Sequence, residues 1–147
     1  MDLQESSTYK YAIRLLAPRD YSRHKLKEKL LSREFELDQI EEVLDLLEEK
    51  QYLDERRYAK GKIKAYIFRN KGPRYIEQKL SLEKIGNFQT YLAEVEEENE
   101  ICWLSIAQEI ADKFSKGKKL DYKERGKLWG KLMSRGFSSE IINQVLQ

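Results

Sequence analysis

Side chains able to do covalent chemistry are scarce in this sequence. His24 is its one histidine and Cys102 its one cysteine among 147 residues. A nucleophile-and-base relay needs both groups oriented by a third, and no such partner stands at useful spacing from either. His24 lies in a strongly basic stretch and reads as a solvated surface imidazole. Cys102 sits beside Trp103 and Leu104 on a predicted helix and reads as core rather than as a nucleophilic thiolate. A lone cysteine closes no internal disulfide and founds no zinc site. The acid pairs Glu41-Glu42 and Glu48-Glu49 belong to a long acidic run, where adjacent carboxylates arise by chance. Gly61-Lys62 and Gly117-Lys118 lack the glycine-rich loop that cradles phosphates. The expectation is a non-enzyme, with no metal and no cofactor.

Charge is where the sequence is informative. The net value is only +2, but the charges are segregated. Glu34 to Glu49 holds eight acids and no base, whereas Arg56 to Ile76 holds eight bases and no acid. Glu94 to Glu100 is acidic again, and Lys113 to Lys131 is mostly basic. Two readings stand: solvated helix faces that complement their neighbours, or a basic surface offered to a polyanion or an acidic protein.

The elements that position these charges are helical. Two prolines and seven glycines leave few breaks in the chain, and no segment alternates with period two. Hydrophobic residues make up 40% of the chain, and the longest apolar run is far short of the roughly 18–20 residues that cross a bilayer. Start and stop signals predict nine helices. The first runs from Thr8 to Ala17, before Pro18; Ser22 caps the second. Asp38 opens the third, with Glu41 completing a capping box. Asp54 caps the fourth, and Gly72-Pro73 restarts the chain for the fifth, which Gly86 stops. The sixth (Phe88 to Glu97) and seventh (Glu100 to Lys113) are expected to be nearly continuous. Asp121 caps the eighth, Gly136 ends it, and Ser138 caps the ninth.

A repeat underlies this order. Lys25-Leu26, Lys29-Leu30, Ser32-Arg33, Phe35, Ile40 and Val43-Leu44 recur at an offset of 102 as Lys127-Leu128, Lys131-Leu132, Ser134-Arg135, Phe137, Ile142 and Val145-Leu146. Ile76, Lys79-Leu80 and Ile85 fit the same frame at an offset of 50. The expectation is an all-α chain of three tandem three-helix repeats forming an elongated curved body. A tail over residues 1–8 precedes repeats at 9–53, 54–98 and 99–147. A single repeat near 50 residues is marginal alone, and stacking stabilises it.

These residues resemble the RecX family, regulators of the RecA recombinase. The opening Tyr11-Ala12-Ile13-Arg14-Leu15-Leu16, then Arg19-Asp20-Tyr21-Ser22-Arg23, is similar to the family's first motif. Tyr52-Leu53-Asp54-Glu55 with Tyr58-Ala59 resembles its "YLDDxxFA". Arg69-Asn70-Lys71-Gly72-Pro73-Arg74-Tyr75-Ile76 resembles its "RxxKGPxRI", and Arg135-Gly136-Phe137 its C-terminal motif. The family's lysine-glycine-isoleucine at the end of the fifth helix reads here as Lys84-Ile85-Gly86. The resemblance implies a protein that binds RecA along its filament on single-stranded DNA. It also implies dampening of ATP hydrolysis, strand exchange and co-protease activity.

The expected partner-binding residues are Arg19, Arg23, Lys25, Lys62, Lys64, Phe68, Arg69, Lys71, Arg74, Arg125, Lys127 and Lys131. On a helical wheel, Arg57, Lys60 and Lys64 fall on one flank of the fourth helix, and Lys62 and Arg69 on the other. Phe68 lies opposite the apolar stripe, either packed on a neighbouring repeat or offered as an interface anchor. The free N–H groups at the start of the fifth helix, between Lys71 and Arg74, are expected to take an acidic side chain or a phosphate. Secondary contact with single-stranded DNA, a monomeric state and a cytoplasmic location complete the expectations. The competing reading is a helix-turn-helix DNA binder; its first recognition helix would carry Glu41, Glu42, Asp45, Glu48 and Glu49 towards the phosphates.

Overall fold

A computed structural model describes residues 2–147. Among them are nine α-helices, one short 3-10 turn (Leu3–Glu5) and no strand. The helices form three successive triplets: α1 (Ser7–Leu16), α2 (Arg23–Ser32) and α3 (Leu37–Glu49); α4 (Glu55–Phe68), α5 (Pro73–Leu82) and α6 (Phe88–Glu98); and α7 (Trp103–Ser115), α8 (Tyr122–Ser134) and α9 (Ser139–Leu146). Each helix packs chiefly on the other two of its triplet. Three separate cores result, built around Leu26, Leu30 and Leu44, around Ile63, Ile76 and Leu80, and around Leu128, Leu132 and Phe137. The accessible surface is 9599 Å², whereas a compact monomer of this mass exposes about 7,900 Å². The excess is the signature of an elongated body.

Positions equivalent under the sequence repeat are buried equivalently. Leu26, Ile76 and Leu128 each lie in their own core, as do Leu30, Leu80 and Leu132. In the middle triplet the buried partners of Ile40 and Val43 are Leu92 and Val95. Their offset is 52 rather than 50, because two extra residues lie between Ile85 and Leu92. That insertion is why this helix aligns poorly in sequence.

Several ends differ from expectation. α1 begins at Ser7 rather than Thr8, and Ser6 caps it, its hydroxyl accepting from the Tyr9 amide. Glu36 precedes α3 without a side-chain cap, so Asp38 lies inside the first turn and the expected capping box is absent. A capping box does form at α8, between Asp121 and Glu124. Gly86 does not stop α5: the chain reverses at Lys84, with φ 57°. Glu34 (φ 64°) and Gly136 (φ 98°) occupy the same place in the other triplets. The left-handed reversal is thus a property of the repeat, filled by glycine only once. Helices α6 and α7 are not continuous, because Glu100 (φ 50°) breaks the chain between them. Cys102 stands at the N-terminal cap of α7 and is exposed, not core.

Candidate binding surface at the repeat junctions

Much of the segregated charge is consumed inside the molecule. Arg23 reaches across from α2 to α3 and pairs with Glu41, Asp45 and Glu48 at 2.8–2.9 Å. Burial alone would pull this guanidinium down; hydrogen bonds to Glu48, Glu41 and Asp45 outweigh it and hold the group above its ordinary value. Lys27 joins the same network through Glu41 at 2.6 Å. In the middle triplet, Arg56 pairs with Glu94, and Lys60 with Glu98, across α4 and α6. His24 faces Glu28, one turn on, at 2.9 Å.

The first junction joins α2 to the start of α4 and the end of α5. Asp20 takes the Arg57 guanidinium at 2.7 Å and 2.9 Å. Lys25 pairs with Glu83 at 2.9 Å, and the Tyr58 hydroxyl donates to the same carboxylate oxygen at 2.7 Å. Burial, then the hydrogen bond to Glu83 and its charge, pushes the Tyr58 phenol far above its usual range. Glu55 accepts the Arg23 amide at the N-terminus of α2, and burial holds its carboxyl above the normal carboxylate value. Between these contacts lies an open cleft of about 340 Å³ lined by Arg19, Lys25, Arg57, Gly61 and Lys62. Arg57 and Lys62 thus reach one cleft from the two flanks of α4, while Lys60 turns to α6.

The second junction is made by the two glycine motifs. The Gly72 amide donates to the Arg135 carbonyl at 2.6 Å and the Arg74 amide to that of Gly136 at 3.0 Å. The Arg135 guanidinium donates in turn to the Arg69 carbonyl at 3.2 Å. Amides at the start of α5, expected to be free for an anion, are thus taken up by the third repeat. A Cβ on Gly72 would fall 2.6 Å from the Gly136 backbone, and one on Gly136 would fall 2.6 Å from the Tyr75 Cβ. Both positions need glycine because two backbones touch there. Trp103 packs against the second and third cores, edge-on to Phe137 at 6.3 Å, and its indole donates to Glu96 at 2.6 Å.

Phe68 does not pack on a neighbouring repeat. It is 90% exposed at the end of α4. Lys64, Arg69 and Arg74 are exposed, and Lys71 is half-buried with its ammonium over the Tyr75 ring at 4.6 Å. Among the described residues, none of these four cations forms an ion pair. Arg57, Gly61, Ala65 and Phe68 recur at helical spacing, so one outward face of α4 runs from the first junction towards the second. On α8, Lys127 and Lys131 are exposed, Lys131 lying 5.7 Å from the Phe114 ring, and Arg125 donates to the Leu146 carbonyl. The exposed Tyr122 beside them, and the structural roles of Trp103 and Arg135, are not visible in helix periodicity. Only the repeat frame, which makes Arg135 the equivalent of Arg33, gave a signal.

Two family descriptions match the outer triplets: "RecX, first three-helix domain" over residues 9–47 and "RecX, third three-helix domain" over 104–146. The regulatory protein RecX of Vibrio vulnificus is 35% identical over 136 residues, covering 92% of this chain and 88% of its own. The chain belongs to the RecX family. RecX of Haemophilus ducreyi is 30% identical over 138 residues, again with 92% and 88% covered. The crystal structure of RecX from Lactobacillus salivarius superimposes with a TM-score of 0.81 over 95% of this chain and 92% of that one. At 22% identity it speaks for the fold. Relatives in the RecX family carry the name of regulatory proteins. No helix among the described residues is long and apolar enough to cross a membrane.

Proposed function

We propose that this chain regulates RecA by lying against its filament on single-stranded DNA, and that it mainly inhibits ATP hydrolysis, strand exchange and co-protease activity. Its repeats are taken as 9–53, 54–98 and 99–147. The observation that carries the reading is the outward face of α4, where a fully presented Phe68 is flanked by unpaired cations at Lys64, Arg69, Lys71 and Arg74. An aromatic anchor ringed by arginine and lysine is the composition of an interface hot spot. Arg19, Lys25 and Lys62 at the first junction, and Arg125, Lys127 and Lys131 on α8, extend the same basic surface. Arg23 belongs to the set through the position of α2 rather than through a free charge, since three carboxylates hold it. Such a regulator needs no catalytic residue: preferential binding of one filament state shifts the population towards it. Secondary contact with the strand, a monomeric state and a cytoplasmic location accompany this proposal.

The test is the ATPase of RecA assembled on single-stranded DNA. The chain is expected to slow it at or below stoichiometric amounts. Phe68→Ala, or Arg69, Lys71 and Arg74 changed together to Glu, raises the half-inhibitory concentration about tenfold or more while leaving the helical spectrum intact. Unchanged inhibition by both variants removes this face from the interface. Tight duplex binding with no effect on RecA favours direct action on DNA instead.

A further inference from the structure

The cleft at the first junction differs from the rest of the basic surface in how its charge is held. Two of its four cations are neutralised, Lys25 by Glu83 and Arg57 by Asp20. Arg19 and Lys62 make no ion pair among the described residues. Instead each sits over a buried tyrosine ring, Arg19 over Tyr21 at 4.7 Å and Lys62 over Tyr58 at 5.9 Å. A cation seated on an aromatic face keeps its charge while losing freedom before any ligand arrives, so less entropy is lost on binding. The two come from different repeats, one from the α1–α2 linker and one from α4, and line the same cleft.

Gly61 lies in the floor of that cleft, in the middle of α4. A glycine inside a helix costs about 1 kcal/mol relative to alanine. Neither backbone nor packing requires it here, since its φ is not left-handed and a Cβ would meet nothing within 4 Å. What the missing side chain does is leave the floor bare.

The Asp20–Arg57 pair is a shared wall. Beyond it lies a second hollow of about 540 Å³, lined by Tyr9, Ile13, Leu16 and the half-exposed Tyr52. An unbalanced cationic pocket thus opens beside an apolar, aromatic one. A simple anion has no use for the second hollow. A carboxylate places its charge on two oxygens in one plane, whereas a phosphodiester offers oxygens in a tetrahedral arrangement to cations on separate walls.

We propose that the furrow between the first and second repeats seats one nucleotide of a single strand: Arg19 and Lys62 take the phosphate, and the hollow beside Tyr52 takes the base. A strand is favoured over a free nucleotide because the furrow is open, its lining runs along α4 to Ala65, and the exposed, unpaired Lys64 is adjacent in the helix. This site deepens the strand contact proposed above and rests on it, but it is independent of any contact with RecA.

The experiment titrates the full chain into a dye-labelled single-stranded dT oligonucleotide, read by fluorescence anisotropy across salt concentrations. Arg19→Ala and Lys62→Ala are each expected to weaken binding about three- to tenfold and to reduce the salt dependence by about 0.7 in log–log slope. Gly61→Gln fills the floor without removing charge and weakens binding as well, while Lys10→Ala, an exposed lysine outside the furrow, does not. Wild-type affinity in the Arg19 and Lys62 variants overturns the site but leaves a strand contact elsewhere. Equal competition by free dTMP overturns the strand assignment. So does a polyglutamate peptide that binds through Arg19 and Lys62 when the oligonucleotide does not. If the wild-type chain takes up no strand at all, the site and the underlying strand contact fall together. Inhibition of the RecA ATPase by the same preparation shows separately whether the regulator reading stands.

Discussion

At the scale of residues, the dominant fact is that a side chain's neighbours decide whether its charge is available. Arg23 and Arg19 lie four positions apart in one motif, yet Arg23 is held by three carboxylates while Arg19 keeps an unbalanced charge over a ring. Removing Arg23 leaves Glu41, Asp45 and Glu48 close together without their shared counter-ion. Arg23→Ala is therefore expected to destabilise the protein by about 1 kcal/mol at neutral pH, the figure for a partly exposed network rather than a buried one. The pH dependence follows from Glu41, whose carboxyl is held below its ordinary 4.5 by hydrogen bonds to Lys27 and then Arg23. A depressed carboxylate stabilises the fold above its unfolded value, and that contribution is lost as pH falls through the folded one. Urea unfolding at neutral pH and below pH 4 should show the difference between parent and variant shrinking in acid. Glu55, raised by burial, works in the opposite direction and weakens the acid loss of the parent.

At the scale of elements, the triplets are joined by backbone as much as by side chains. The second junction rests on two amide–carbonyl bonds and the close passage of Gly72 against Gly136. Gly136 has φ 98° and no room for a Cβ, whereas the equivalent Glu34 and Lys84 adopt left-handed φ with their side chains accommodated. Gly136→Ala adds backbone strain to a backbone clash, and is expected to cost about 2–4 kcal/mol. Thermal unfolding followed by circular dichroism checks it: a lowered Tm with full helicity in the cold is expected, because most apolar packing lies within each triplet.

At the scale of the whole molecule, three small cores in series make an object with more surface than a ball of the same mass. A compact chain of 147 residues has a radius of gyration of about 15 Å. Small-angle scattering on this protein should give a clearly larger value, and a value at the compact limit contradicts the serial arrangement. In the proposed role length serves binding: α4 spans the middle repeat, so its outward face carries charge from one junction towards the next. That geometry suits a partner that is itself a polymer.

Local physics was enough to read the helices and the repeat, because capping residues, proline, and apolar spacing act within a few positions of themselves. Leu26, Ile76 and Leu128 announce a common core position through spacing alone, and Ser22, Asp54 and Ser138 announce their caps. The misplaced stop at Gly86 had its remedy in the same sequence, since the repeat frame carries Glu34 onto Lys84. What spacing could not supply was which charges cancel. Arg23 against α3, Lys60 against α6, and the α5 amides against the Gly136 turn are contacts between elements, set by how helices cross and repeats abut. Electrostatic pairing and backbone approach are decided over a few ångströms in space, whatever the distance along the chain. The availability of Phe68, Arg19 and Lys62 therefore belongs to the tertiary structure alone.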